Sequence, residues 1–106
     1  MSQKTPYRFS DEQLKLILDQ SGIYMCTCPA QVAAQMLELR GLHQYQLDCM
    51  SKSSVPPDTH RCISQAAQRA HALLEDALEE VLRIEGWDRD TLIMPAGLRT
   101  LRDSQL

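Results

Sequence analysis

The side chains with chemistry beyond packing are four cysteines and three histidines. Cys26-x-Cys28, Cys49 and Cys62, with His60 two residues before Cys62, supply thiolate and imidazole donors. Such donors suit zinc, Cu(I) or an iron–sulfur cluster. Cys26, Cys28 and Cys62 fall near expected helix starts, where unpaired amides and the helix dipole favour thiolate over thiol. The spacing matches no strong zinc signature. His43 lies on the apolar face of an expected helix, where a hydrogen-bonded interior histidine is the plainer reading, and His71 is placed within reach of it. The chain contains no glycine-rich phosphate loop, His-Glu-x-x-His helix or nucleophile elbow, so catalysis has no positive support in sequence.

The elements that position these groups are helices. From Asp58 to Trp87, Ile63, Ala67, Ala70, Leu74, Ala77, Val81 and Ile84 recur in steps of four and three, the spacing of one helix face. Leu73, Leu78 and Leu82 widen that face; Gln65, Arg69, Glu75, Asp76, Glu79 and Arg83 are expected opposite it. Pro56-Pro57 ends whatever precedes, Asp58 is placed to cap, and Gly86 can take the left-handed conformation with Trp87 folding back on Leu82.

A second helix is expected from Pro29 to Met50, with Val32, Ala33, Met36, Leu39, His43, Leu47 and Met50 inward. Gly41 costs it about 1 kcal/mol relative to Ala and marks a candidate break. Residues 51–57 form a loop short enough to force an antiparallel hairpin. Ahead of it, Ser10-Asp11-Glu12-Gln13 has the capping-box form, and Phe9 and Leu14 occupy hydrophobic-staple positions for a short first helix ending at Ser21-Gly22. Residues 1–8 are expected to be flexible. Residues 88–106 hold an apolar turn at Leu92-Ile93-Met94 and a short helix from Pro95. The predicted architecture is all-α and bundle-like: an antiparallel hairpin of two long helices, a short N-terminal helix and a short C-terminal helical segment, forming one domain over 1–106.

This hairpin constrains the cysteines. A continuous second helix separates Cys28 from Cys49 by roughly 30 Å, so the thiols divide into two pairs unless the helix breaks at Gly41 or an antiparallel dimer joins opposite ends. Tyr24-Met25-Cys26-Thr27-Cys28 resembles the opening of the bacterioferritin-associated-ferredoxin type of two-iron, two-sulfur domain. That family needs a later Cys-x-x-Cys, absent here, and its cluster is not carried over. The cysteine-bearing hairpin is also similar to twin-cysteine hairpin proteins, whose paired thiols are nine residues apart; here twelve residues separate Cys49 and Cys62.

Composition narrows the function classes. A chain of 106 residues, 24% charged and 43% hydrophobic with one Phe and one Trp, fits a single helical domain rather than an aromatic-rich β core. A net charge of −3 gives no footprint for nucleic acid. No stretch approaches the ~20 apolar residues of a membrane span, and no leader is read at the N-terminus. The expectation is therefore a cytoplasmic, homodimeric interaction or accessory protein, with Ala70, Leu74, Ala77 and Val81 in an interface between helices, within one chain or between two, and with room for a protein partner and no cofactor. The alternative is a thiolate-based metal (Zn or Cu(I)), Fe-S or redox protein using Cys26, Cys28, Cys49, Cys62 and His60.

Overall fold

A computed structural model describes residues 7–20, 28–52 and 54–104. It contains helices α1 (Asp11–Gln20), α2 (Cys28–Cys49), α3 (Pro57–Glu85) and α4 (Ala96–Ser104), and no strand among the described residues. The expected antiparallel hairpin is α2 against α3, and α1 packs on α2. No described helix is long and apolar enough to cross a membrane. The end of the first helix at Ser21-Gly22 and the segment through Cys26 lie outside the described residues.

The local signals act as their chemistry requires. Ser10 N–H donates to Gln13 Oε1 at 2.9 Å and Gln13 N–H donates to Ser10 Oγ at 3.0 Å, closing the capping box. Phe9 and Leu14 are both fully buried, as a staple requires. At the end of α3, Gly86 sits at φ 81°, and the Trp87 amide reaches back to Leu82 O at 2.9 Å, turning the indole into the core. Asp58 does not cap α3: the helix begins one residue earlier, with Pro57 in its first turn and no side-chain cap, and Asp58 pairs with Arg61 instead. A proline at that position has no amide to satisfy, so the cap is dispensable. α2 runs unbroken through Gly41, whose missing side chain faces open space.

Apolar packing is concentrated at one end of the hairpin. Phe9, Leu14, Ile17, Ala33, Met36, Leu78, Leu82, Trp87, Leu92 and Met94 form the core there. The turn after α3 closes it: Asp88 Oδ1 accepts the amides of Thr91 and Asp90 at 2.9 Å each, and these bonds hold its carboxyl below the usual carboxylate range. Leu92 follows with φ 59°, a left-handed backbone that costs of order 1 kcal/mol and is retained because the side chain is buried. Tyr7 and Arg8, expected to be flexible, dock on the helices; residues 1–6 lie outside the described residues.

The inward face of α3 differs from the one its apolar period predicts. Its buried residues are His60, Ser64, Ala67, His71, Glu75, Leu78 and Leu82, a face turned by about a quarter of a turn from the Ile63–Ile84 stripe. Only Ala67 belongs to both. Glu75, expected opposite the apolar face, is inside, while Leu73 and Ile84 are 70% and 67% exposed. The reason is that His71 and His60 bond Arg40 and Gln46 of α2 and Glu75 accepts the Arg8 amide, which offsets much of their desolvation cost. Leu78→Ala should therefore cost about 2–5 kcal/mol, whereas Leu73→Ala in dilute protein should stay within about 0.5 kcal/mol of wild type. Urea denaturation of the two variants checks this, and equal losses would contradict the turned face.

Candidate functional site

Between α2 and α3 lies a polar layer centred on Arg40. This arginine is on the inner face of α2, and its side chain is 9% exposed. Its Nη1 donates to Asp11 Oδ1 at 2.6 Å, its Nη2 to Phe9 O at 2.7 Å, and its Nε to His71 Nε2 at 2.9 Å. The Tyr7 ring lies under the guanidinium, 4.0 Å from centroid to Cζ. One side chain thus joins the start of α1, the segment leading to it, and α3.

The Arg40 bond dictates the state of His71. Arginine only donates, so Nε2 must accept, and His71 is a neutral imidazole with its proton on Nδ1. That nitrogen faces Glu75 Oε1 at 4.0 Å, and the Tyr7 ring packs on the imidazole with centroids 4.7 Å apart. Burial lowers the His71 pKa, the Arg40 charge lowers it further, Glu75 opposes, and His43 adds a small lowering effect. Glu75 Oε2 accepts the Arg8 backbone amide at 2.9 Å, which satisfies a carboxylate that would otherwise be costly inside. Beside these groups is a cavity of about 20 Å³, room for one water, lined by Tyr7, Arg40, His43 and His71 among others.

Toward the hairpin loop the layer continues with His60, Gln46, His43 and Ser64. His60 Nδ1 donates to Gln46 Oε1 at 2.7 Å, and His43 Nδ1 donates to Ser64 O at 3.3 Å. His60 Nε2 is buried with no hydrogen-bond partner among the described residues. His60 and His71 are buried and His43 is half-buried, each with a hydrogen bond, and His43 and His71 line the same small cavity.

The thiols are spread out. Cys28 is the first residue of α2, and Cys49, half-buried, is its last, so about 32 Å of unbroken helix separates them. Cys62 is exposed in the second turn of α3, beyond the orphan amides of the helix start. Cys26 lies outside the described residues. The Tyr45 phenol hydrogen-bonds with Cys49, which raises the Tyr45 pKa. Among the described residues, no three His, Cys, Asp or Glu groups gather closely enough to hold a metal ion. Of the interface residues expected from sequence, Ala70, Leu74 and Val81 are half-buried and Ala77 is exposed; Leu74 packs against the core.

Arg40, Tyr7 and Arg8 were not legible as a site. The available signal was the inner-face register of α2: Met36, Arg40 and His43 are spaced four and three apart, putting a charge where an apolar residue is expected. Comparison with protein-family models, with curated proteins and with solved structures gives no match.

Two outcomes follow from this geometry. Arg40→Ala leaves the His71, Phe9 and Asp11 acceptors without their donor and should cost about 3 kcal/mol in urea denaturation, with Arg40→Lys recovering only part because one ammonium cannot span the three acceptors. Because the folded pKa of His71 is lowered, the unfolded chain binds the proton more readily. Its contribution therefore makes stability fall as pH drops below about 6.5, and this loss levels off below the folded pKa. An NMR titration should show His71 with its proton on Nδ1 and a pKa below 6.5, and His71→Gln should flatten the stability profile in that window. A His71 pKa at or above the ordinary value would contradict the buried neutral assignment.

Proposed function

We propose that this chain is a small helical interaction protein, self-associating, cytosolic and accessory to other activities. One observation carries the reading: the outer face of α3 is an apolar stripe in water. Leu73 and Ile84 stand out from it, Ala66 and Ala77 are exposed between and beside them, and Ile63, Ala70 and Val81 border it half-buried. Contiguous exposed apolar surface of this kind marks association sites, and two-fold dimers are the commonest form. The negative net charge favours a protein partner over nucleic acid, and a reducing compartment suits a chain whose Cys49 and Cys62 are not in disulfides.

A thiolate site is the second reading, drawn from the buried, partnerless His60 Nε2 at the loop end of the hairpin, the end that also carries Cys49 and Cys62. Cys28 reaches such a site only from a second chain, since α2 is continuous.

Sedimentation over about 5–200 µM should show concentration-dependent dimerisation, and protein purified without oxygen should carry no stoichiometric metal. One metal per chain, lost equally from Cys28→Ser and Cys62→Ser, would replace the interaction reading with the thiolate one.

A further inference from the structure

Resting on the self-association proposed above, we infer that two copies of the chain pair α3 against α3 in antiparallel register, about a two-fold axis passing between Ala70 and Leu73. Ile63, Ala66, Ala70, Leu73 and Ala77 recur in steps of three and four, the seam of a coiled pair, and Ile84 continues it one heptad further. This seam lies about a third of a turn from the face packed on α2, and so is free to meet another helix. The alanines at three of its positions let two helix axes approach to about 8 Å, with Leu73 of each copy over Ala70 of the other.

Charge selects the occupant and its direction. Outside the hairpin, the first half of α3 carries Arg61 and Arg69 against Asp58; the second half carries Asp76, Glu79, Glu80 and Glu85 against Arg83 and the docked Arg8 and Arg89. A parallel pair would run acidic half beside acidic half and basic half beside basic half. The antiparallel pair sets each basic half against an acidic half. Its register brings Arg69, whose guanidinium has no hydrogen-bond or ion-pair partner among the described residues, beside Asp76 of the second copy. Asp76 bonds Arg8 through Oδ1 alone and its side chain is 63% exposed, so it can accept a second cation. The helix is complementary to a reversed copy of itself.

The same register puts Cys62 beside residue 83 of the second copy and about 31 Å from that copy's Cys62. The experiment combines sedimentation of the wild type and of Leu73→Glu with cross-linking by a short bis-maleimide, which joins two thiols through thioethers. The cross-linked chains carry Cys26→Ser, Cys28→Ser and Cys49→Ser, with and without Arg83→Cys. The expected result is a wild-type dimer, a Leu73→Glu chain with unchanged circular dichroism and a dimer dissociation constant raised at least ~100-fold, and covalent dimer only when Arg83→Cys is present. A wild type that stays monomeric at about 200 µM overturns the self-association reading itself. A dimer that Leu73→Glu leaves intact keeps that reading and overturns this interface. Covalent dimer through Cys62 alone shows a parallel pair and overturns the register.

Discussion

The fold depends on one buried cation. Arg40 cannot shed its charge, so its place inside the protein must be matched by acceptors, and they come from three separate parts of the chain: Asp11, the Phe9 carbonyl and His71. Each acceptor is fixed by something else. Asp11 follows Ser10 of the capping box, Phe9 is held by its own burial, and His71 is in the middle of α3. The bidentate-capable fork gives the hairpin a register that apolar contact alone would specify weakly, since Ala and Leu layers can slide by a turn at modest cost.

The interior is accordingly of two kinds. At the end where the chain's first described residues meet α3's last turns, aliphatic and aromatic groups pack against α1 and the Trp87–Met94 turn. Toward the Pro56-Pro57 loop, α2 and α3 meet through His60, Gln46, His43 and Ser64, with no third helix over them among the described residues. Hydrogen bonds of net worth about 1 kcal/mol each hold that end, against several kcal/mol for a buried Leu or Phe at the other. Local opening therefore begins at the loop end of the hairpin, and amide exchange follows the same gradient.

What could be read from sequence were features set by neighbouring residues: the Ser10–Gln13 box, the Pro-Pro start and Gly86 stop of α3, the hairpin itself and the helix after Pro95. What could not be read was decided between distant residues. A period of apolar side chains put the inner face of α3 along Ile63 to Ile84, because the count treats every His and Glu as solvent-facing. His71 and Glu75 are inside because Arg40 and the Arg8 amide, 31 and 67 positions away, complete their hydrogen bonds. The displaced stripe keeps its regularity all the same, with Leu73 and Ile84 left on the outside of α3. The thiols are the opposite case: conspicuous in sequence, Cys28 and Cys49 are held at opposite ends of α2 by its continuity through Gly41.

The Tyr7–Phe9 segment also sets the order in which the molecule can be assembled. Its anchors are far along the chain: Arg8 N–H on Glu75, Arg8 on Asp76, and the Arg8 carbonyl near Arg89, 81 residues on. The hairpin closes over a short loop through α2–α3 contacts, whereas the segment closes over 67 to 81 residues, the entropically costlier of the two closures. During synthesis the imbalance is larger. Tyr7 to Phe9 leave the ribosome ahead of Glu75 by roughly 3–15 seconds at ordinary elongation rates. Through that interval Phe9, which ends fully buried, is without the α3 residues that cover it, and its apolar ring faces water on the nascent chain.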